Sequence, residues 1–278
     1  MGDVLRLVRA PNLVLAAAGV LAGGWIALGA LAVPPLLGWA ALSSVGLGAA
    51  GNVWNDVQDA PVDRINHPHG GRPIAAGRIS RDTANLVMWL GGLLGVGGAA
   101  LVGGSQVVAA LLVLALMFAY SPWLKRLGPT GNLTVALVAG FPLAFGAMAV
   151  GGFGAGMVPW MLAAWIHFGR ELVKDLADEA GDRTVGRRTL PVRVGRETAR
   201  RIAMWTCIAF VPVSVLLPLA GGYGAAYFAI AALAQVLVLL AALRLQQDRF
   251  TTASRSLKAA MAVGLAALVV GRITAWPS

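Results

Sequence analysis

The chain has 278 residues, of which 58% are hydrophobic and 12% charged, with a mean hydropathy of +0.75. A soluble domain carries about twice that share of charge, so a water-soluble globular fold is excluded and the expected class is an all-α integral membrane protein. The net charge of +10 would suit a nucleic-acid partner, but the basic residues fall where membrane anchors belong, and no nucleic acid is expected.

Roughly 20 apolar residues cross a bilayer as a helix. Nine such runs are found, near 11–31, 35–55, 83–103, 105–123, 130–150, 154–174, 202–220, 223–243 and 257–275. The first follows Arg6 and Arg9. Its length, and the lack of a small-residue cleavage site, read as a retained anchor rather than a signal peptide. Arg64, Arg72, Arg78 and Arg81 follow the second run, Lys125 and Arg126 the fourth, and a dense series from Lys174 to Arg201 the sixth. Arg244, Arg249, Arg255 and Lys258 follow the eighth, and Arg272 alone lies on the other side. The positive-inside rule then puts the N-terminus and these basic loops in the cytoplasm and the C-terminus outside. Cys207 is the single cysteine and sits in the seventh run, where it reads as a small core residue.

Acid is concentrated at the cytoplasmic ends of two runs. Asn52, Asp56, Asp59 and Asp63 close the second; Glu171, Asp175, Asp178 and Asp182 close the sixth. Both sets step by four, three and four residues, which on a helix makes one stripe. With Glu179, these neighbourhoods hold eight of the 12 acidic residues. Like charges so placed repel unless a cation lies between them. Mg²⁺ takes carboxylate oxygens and keeps waters and phosphate oxygens as its other ligands. Two facing stripes, with Arg72, Lys174, Arg183, Arg187 and Arg188 beside them, therefore suit Mg²⁺ around a diphosphate. The candidate metal ligands are Asp56, Asp59, Asp63, Asp175, Asp178 and Asp182. The bland alternative is interfacial charge flanking membrane helices. Pro61 lacks a backbone donor and disfavours helix at Ala60, so the second span is expected to kink or end there, with Asp63 reaching the site from a loop.

Asn55-Asp56-Val57-Gln58-Asp59 with Asp63, then Arg72-Pro73-Ile74 and Gly77, resembles the first aspartate-rich motif of the UbiA superfamily of intramembrane prenyltransferases. Arg170-Glu171-Leu172-Val173-Lys174-Asp175-Leu176-Ala177-Asp178 with Gly181-Asp182, then Gly186, Thr189-Leu190-Pro191 and Gly195, resembles the second. The resemblance covers essentially the whole chain. It implies one prenyltransferase domain over 1–278, with nine transmembrane helices around a central cavity under cytoplasmic cap loops. By position, Asn55, Asp59 and Asp63 with Asp175, Asp178 and Asp182 would bind Mg²⁺ and a prenyl diphosphate. Tyr120, Lys125 and the Gly131-Asn132 pair fall where the family has a tyrosine, a lysine near the diphosphate and a Gly-Asn pair. Catalysis is thus expected of Asp59, Asp178 and Lys125, and diphosphate binding of Asn55, Arg72, Lys174, Arg183, Tyr120 and Asn132. Lys125 reads equally well as a membrane anchor.

His67 and His69 flank Pro68 in a Gly-rich loop and read as solvated, and His167, four residues before Glu171 on the same helical face, reads as a core histidine, with contact to substrate as the alternative. Trp54, Phe141, Trp165 and Phe168 are candidates for a prenyl groove, with packing as the alternative. The chemistry expected is ionisation of an allylic diphosphate with water excluded, then capture by an acceptor. The form of the second motif is most similar to family members that prenylate a glycerol-phosphate ether lipid with geranylgeranyl diphosphate; an aromatic acceptor is the alternative. An ion-coupled transporter is the reading from another class, but it would place its carboxylates near the bilayer midplane rather than at cytoplasmic helix ends.

Overall fold

The computed structural model describes residues 2–66, 72–184 and 186–275, without the side chains of Val62, Ile65, Asn66, Lys125 and Arg126. His67 and His69, and the Lys125 side chain, lie outside what is described. Every regular element is helical: α1 Gly2–Leu7, α2 Ala10–Leu28, α3 Pro35–Asn66, α4 Arg81–Ala100, α5 Gly104–Tyr120, α6 Pro129–Gly140, α7 Pro142–Ala149, α8 Phe153–Thr184, α9 Leu190–Val194, α10 Arg196–Ala220, α11 Ala225–Gln246 and α12 Phe250–Ile273. A 3-10 turn, Leu124–Leu127, joins α5 to α6.

Among the described residues, seven segments are long and apolar enough to cross a membrane: α2, Pro35–Pro61 of α3, α4, Pro129–Ala149, α10, α11 and α12. The chain is an integral membrane protein on that ground. Helix α5 is apolar but has 17 residues. Helix α8 runs 32 residues and turns polar from Arg170 onward. The fifth apolar run is two helices rather than one, interrupted at Phe141, because Pro142 opens α7 with no N–H to continue the ladder.

Glycine lets these helices touch. A Cβ at Gly146 of α7 would collide with the Val20 carbonyl of α2, and one at Gly140 would lie 2.9 Å from the Ala164 amide of α8. Gly91, Gly95 and Gly98 bring α4 against α3, where Ser43 Oγ donates to the Gly95 carbonyl at 2.6 Å. Small residues at such contacts let apolar helices gain dispersion and polar contacts that lipid does not offer. Outward faces carry the bulky apolar side chains, including Trp89, Leu90 and Leu93 of α4 and Leu216 and Leu219 of α10. Neighbour contacts run α2–α3, α3–α5, α5–α6, α6–α8, α8–α12 and back through α12–α2. The ring so formed encloses a cavity of about 940 Å³.

The helix of the second span does not end at Pro61, where its apolar segment closes. Helix α3 continues to Asn66, and Asp63 stays on its stripe, buried at the cavity wall. Pro61 is exposed in the last two turns, where losing one backbone bond is cheapest because water can reach the freed carbonyl.

Candidate active site

The cavity is polar at one end and apolar beyond it. Asn55, Asp59 and Asp63 enter from α3 and Glu171, Asp175, Asp178 and Asp182 from α8, so the two acidic stripes face one space. Leu47, Met117, Val138, Phe141, Phe145, Leu162 and Leu268 line the remainder. Among the described residues, six acids and six bases line the cavity, the bases being Arg9, Arg72, Arg170, Lys174, Arg187 and Lys258.

Arginine ties the stripes together. Arg187 donates to Asp59 Oδ1 at 2.9 Å and to Asp182 Oδ1 at 3.2 Å. Arg72 lies 3.7 Å from Asp59 Oδ2 and 3.3 Å from Asp63 Oδ2, and donates to Asp56 Oδ1 at 2.7 Å. Asp56 itself does not line the cavity: it is 1% exposed behind the wall, and Arg9 donates to the same Oδ1 at 2.6 Å. A buried carboxylate held by two guanidiniums positions them, and losing one partner of such a pair costs about 3–5 kcal/mol. Arg9 takes a left-handed backbone, φ 55, between α1 and α2 to make that bond, a conformation uncommon for a non-glycine residue.

Three other polar pairs are fixed by direct contact. Asn132 Nδ2 of α6 donates to Asp175 Oδ2 at 2.7 Å, and Ser121 Oγ donates to Asn55 Oδ1 at 2.6 Å. Lys174 Nζ donates to both Glu171 oxygens, at 3.0 and 2.8 Å. Burial pushes the Asp175 carboxyl up to about 6 despite the Asn132 hydrogen bond that lowers it, and burial likewise raises Asp182. Asp178 is exposed at the cavity mouth and makes no hydrogen bond or ion pair among the described residues. Hard oxygen donors of this kind suit Mg²⁺. No three acids among the described residues converge closely enough to cage an ion alone, so a cation held here would need phosphate oxygens and water to complete its shell.

Residues 16–272 match the UbiA prenyltransferase family. The chain belongs to this family. Among UbiA relatives, the digeranylgeranylglyceryl phosphate synthase of Halobacterium salinarum is 36% identical over 273 residues, covering 97% of each chain. A solved structure of digeranylgeranylglyceryl phosphate synthase superposes with a TM-score of 0.78 at 26% identity, covering 98% of each chain. A UbiA homologue from Archaeoglobus fulgidus, solved with GPP and Mg²⁺, has the same fold at a TM-score of 0.68 and 20% identity, covering 96% of this chain and 99% of its own.

Of the residues singled out from sequence, Asn55, Asp59, Asp63, Arg72, Tyr120, Asn132, Lys174, Asp175, Asp178 and Asp182 all line this UbiA cavity. Arg183 stands apart: it does not line the cavity and pairs with Glu179 at 2.8 Å on the cap. Of the four groove aromatics, Phe141 lines the cavity. Trp54 instead packs against Phe118 with the rings tilted by 50° and donates to its carbonyl, Trp165 donates to the Thr206 carbonyl, and Trp165 and Phe168 both pack against the core. His167, expected in the core, lines the cavity. Arg9 and Lys258 have the sequence context of membrane anchors, and no spacing signal marks either as the cavity residue it is.

Proposed function

We propose that this protein transfers a geranylgeranyl group from geranylgeranyl diphosphate to the free hydroxyl of a glycerol-phosphate ether lipid, as a Mg²⁺-dependent membrane enzyme. The observation that carries this reading is the single cavity in which both acidic stripes meet at one end and an apolar chamber opens beyond. The likeness to the halobacterial synthase over nearly the full chain supports the acceptor, and the archaeal neighbour bound to GPP and Mg²⁺ supports the cation.

Asp59, Asp63, Asp175, Asp178 and Asp182 would hold Mg²⁺, which would neutralise charge building on the leaving diphosphate. Asp56 would instead anchor Arg9 and Arg72. Arg72 and Arg187 take diphosphate oxygens, with Asn55, Tyr120, Asn132 and the Lys125 position around them. Lys174 is held by Glu171 at the same rim. The allylic C–O bond breaks with its electron pair leaving on the diphosphate, the acceptor oxygen bonds to the prenyl carbon, and the hydroxyl proton leaves with the diphosphate. Apolar walls keep water from the cation.

In this reading the chain is one domain with nine spans, α5 and the apolar half of α8 joining the seven longer segments, under cytoplasmic caps. The N-terminus is cytoplasmic and the C-terminus outside. Purified protein given labelled geranylgeranyl diphosphate should prenylate geranylgeranylglyceryl phosphate and not 4-hydroxybenzoate or 1,4-dihydroxy-2-naphthoate. The reverse preference would move the acceptor to the aromatic class.

A further inference from the structure

Charge is not mixed evenly within the cavity. Arg72 and Arg187 are shared among the carboxylates of Asp59, Asp63 and Asp182. On the other flank the balance reverses. Arg170 and Lys174 stand one turn apart on α8, Lys258 comes from α12 within electrostatic reach of both, and Glu171 is the acid that pairs with the first two. Lys258 makes no ion pair or hydrogen bond among the described residues, and Arg170 Nε is buried without a hydrogen-bond partner. Asp175 lies within electrostatic reach of Lys174, and Asp178 lines the same rim, yet neither makes an ion pair with these three cations among the described residues, and cations so gathered repel one another unless an anion joins them.

A crevice of about 280 Å³ opens at this place between α8 and α12. Lys174, Asp178 and Lys258 line both it and the main cavity, and Thr251, Ser254 and Arg255 line its outer part. It lies between the polar half of α8 and the first turns of α12, at the cytoplasmic end of both, where a lipid headgroup sits. Several cap arginines are already matched by acid. Arg183 and Arg196 pair with Glu179, and Arg200 pairs with Glu197 and Asp248.

We propose that Arg170, Lys174 and Lys258, with Arg255 at the crevice mouth, bind the phosphate monoester of the acceptor lipid. The inference rests on the glycerol-phosphate acceptor argued above. It separates two anion sites: the donor diphosphate lies among the carboxylates, where cations must accompany it, and the acceptor phosphate lies on direct side-chain charge. Anchored there, the acceptor directs its hydroxyl across α8 toward the diphosphate end.

The test is steady-state kinetics at saturating geranylgeranyl diphosphate and Mg²⁺, with geranylgeranylglyceryl phosphate and with its dephosphorylated counterpart, geranylgeranylglycerol. Lys258→Ala should raise KM for the phosphorylated acceptor about 10- to 100-fold, the worth of one charge-assisted hydrogen bond. Its KM for geranylgeranyl diphosphate should move by less than about twofold, and the preference for the phosphorylated acceptor should narrow by the factor seen in KM. Lys258→Arg should restore most of that preference. Arg255→Ala, exposed at the mouth, should give a smaller rise of the same kind and serves if Lys258→Ala does not fold. Inorganic phosphate should compete with the acceptor and not the donor. An unchanged preference in both alanine variants would overturn the inference, as would an effect that tracks the anionic lipid content of the vesicles and not the acceptor phosphate. If the unmutated protein prenylates no glycerol-phosphate lipid, the acceptor reading itself fails, and that result is distinct from either.

Discussion

Arg187 donates to Asp59 across 128 residues of chain, at 2.9 Å. Its other terminal nitrogen reaches Asp182, so one guanidinium fixes the spacing between the two acidic stripes. A planar fork can hold two carboxylates at once, and an ammonium cannot do so in the same geometry. Replacing Arg187 by alanine should lower kcat about 100- to 1,000-fold, the range for removing one preorganised charge-stabilising donor. Arg187→Lys should fall between alanine and the unmutated protein. An Arg187→Lys variant as active as the unmutated protein would show that the fork geometry is not used.

Asp175 carries a pH dependence. Its carboxyl is raised to about 6 by burial and held from rising further by Asn132. Only the ionised form is a cation ligand, so the Mg²⁺ concentration for half-maximal activity should climb as pH falls through about 6 and level off above it. Asn132→Ala removes the hydrogen bond that favours the charged form, which should move this limb to higher pH. A limb left in place would separate Asp175 from cation binding.

Topology is open to direct test. Reporter fusions after Arg78 and at the C-terminus should give opposite signals, cytoplasmic and external. A cytoplasmic C-terminus would mean that α5 or α8 does not cross.

Much of this site was legible because acid is so rare in the chain. The four-three-four spacing from Asn52 through Asp56 and Asp59 to Asp63, and from Glu171 through Asp175 and Asp178 to Asp182, placed both stripes on helices, and α3 and α8 carry them so. Pro61 misled: a proline weakens a helix by removing one bond, but near an exposed end that loss is small, and Asp63 is held by Arg72. Within the stripe, spacing could not separate Asp56 from its neighbours, because a turn of helix decides which side chain faces the cavity and which lies behind it. Arg9 and Lys258 were not legible at all as site residues. A basic residue at a membrane boundary has the same sequence context whether it faces lipid headgroups or a cavity, and only the α12–α2 closure of the ring distinguishes them. The break at Phe141 was equally silent, since Pro142 lies within an apolar run that reads as one span.

The most direct test of the central claim is Mg²⁺-titrated prenyl transfer by the unmutated protein and by Asp59→Ala, Asp63→Ala and Asp178→Ala, each checked for membrane folding by thermal stability. One cation and diphosphate site shared by both stripes requires that each substitution cut turnover by at least about 100-fold. Residual activity should need more Mg²⁺, and chelation should silence the unmutated protein. Undiminished turnover in both Asp59→Ala and Asp178→Ala, or activity that persists in excess chelator, would contradict the account.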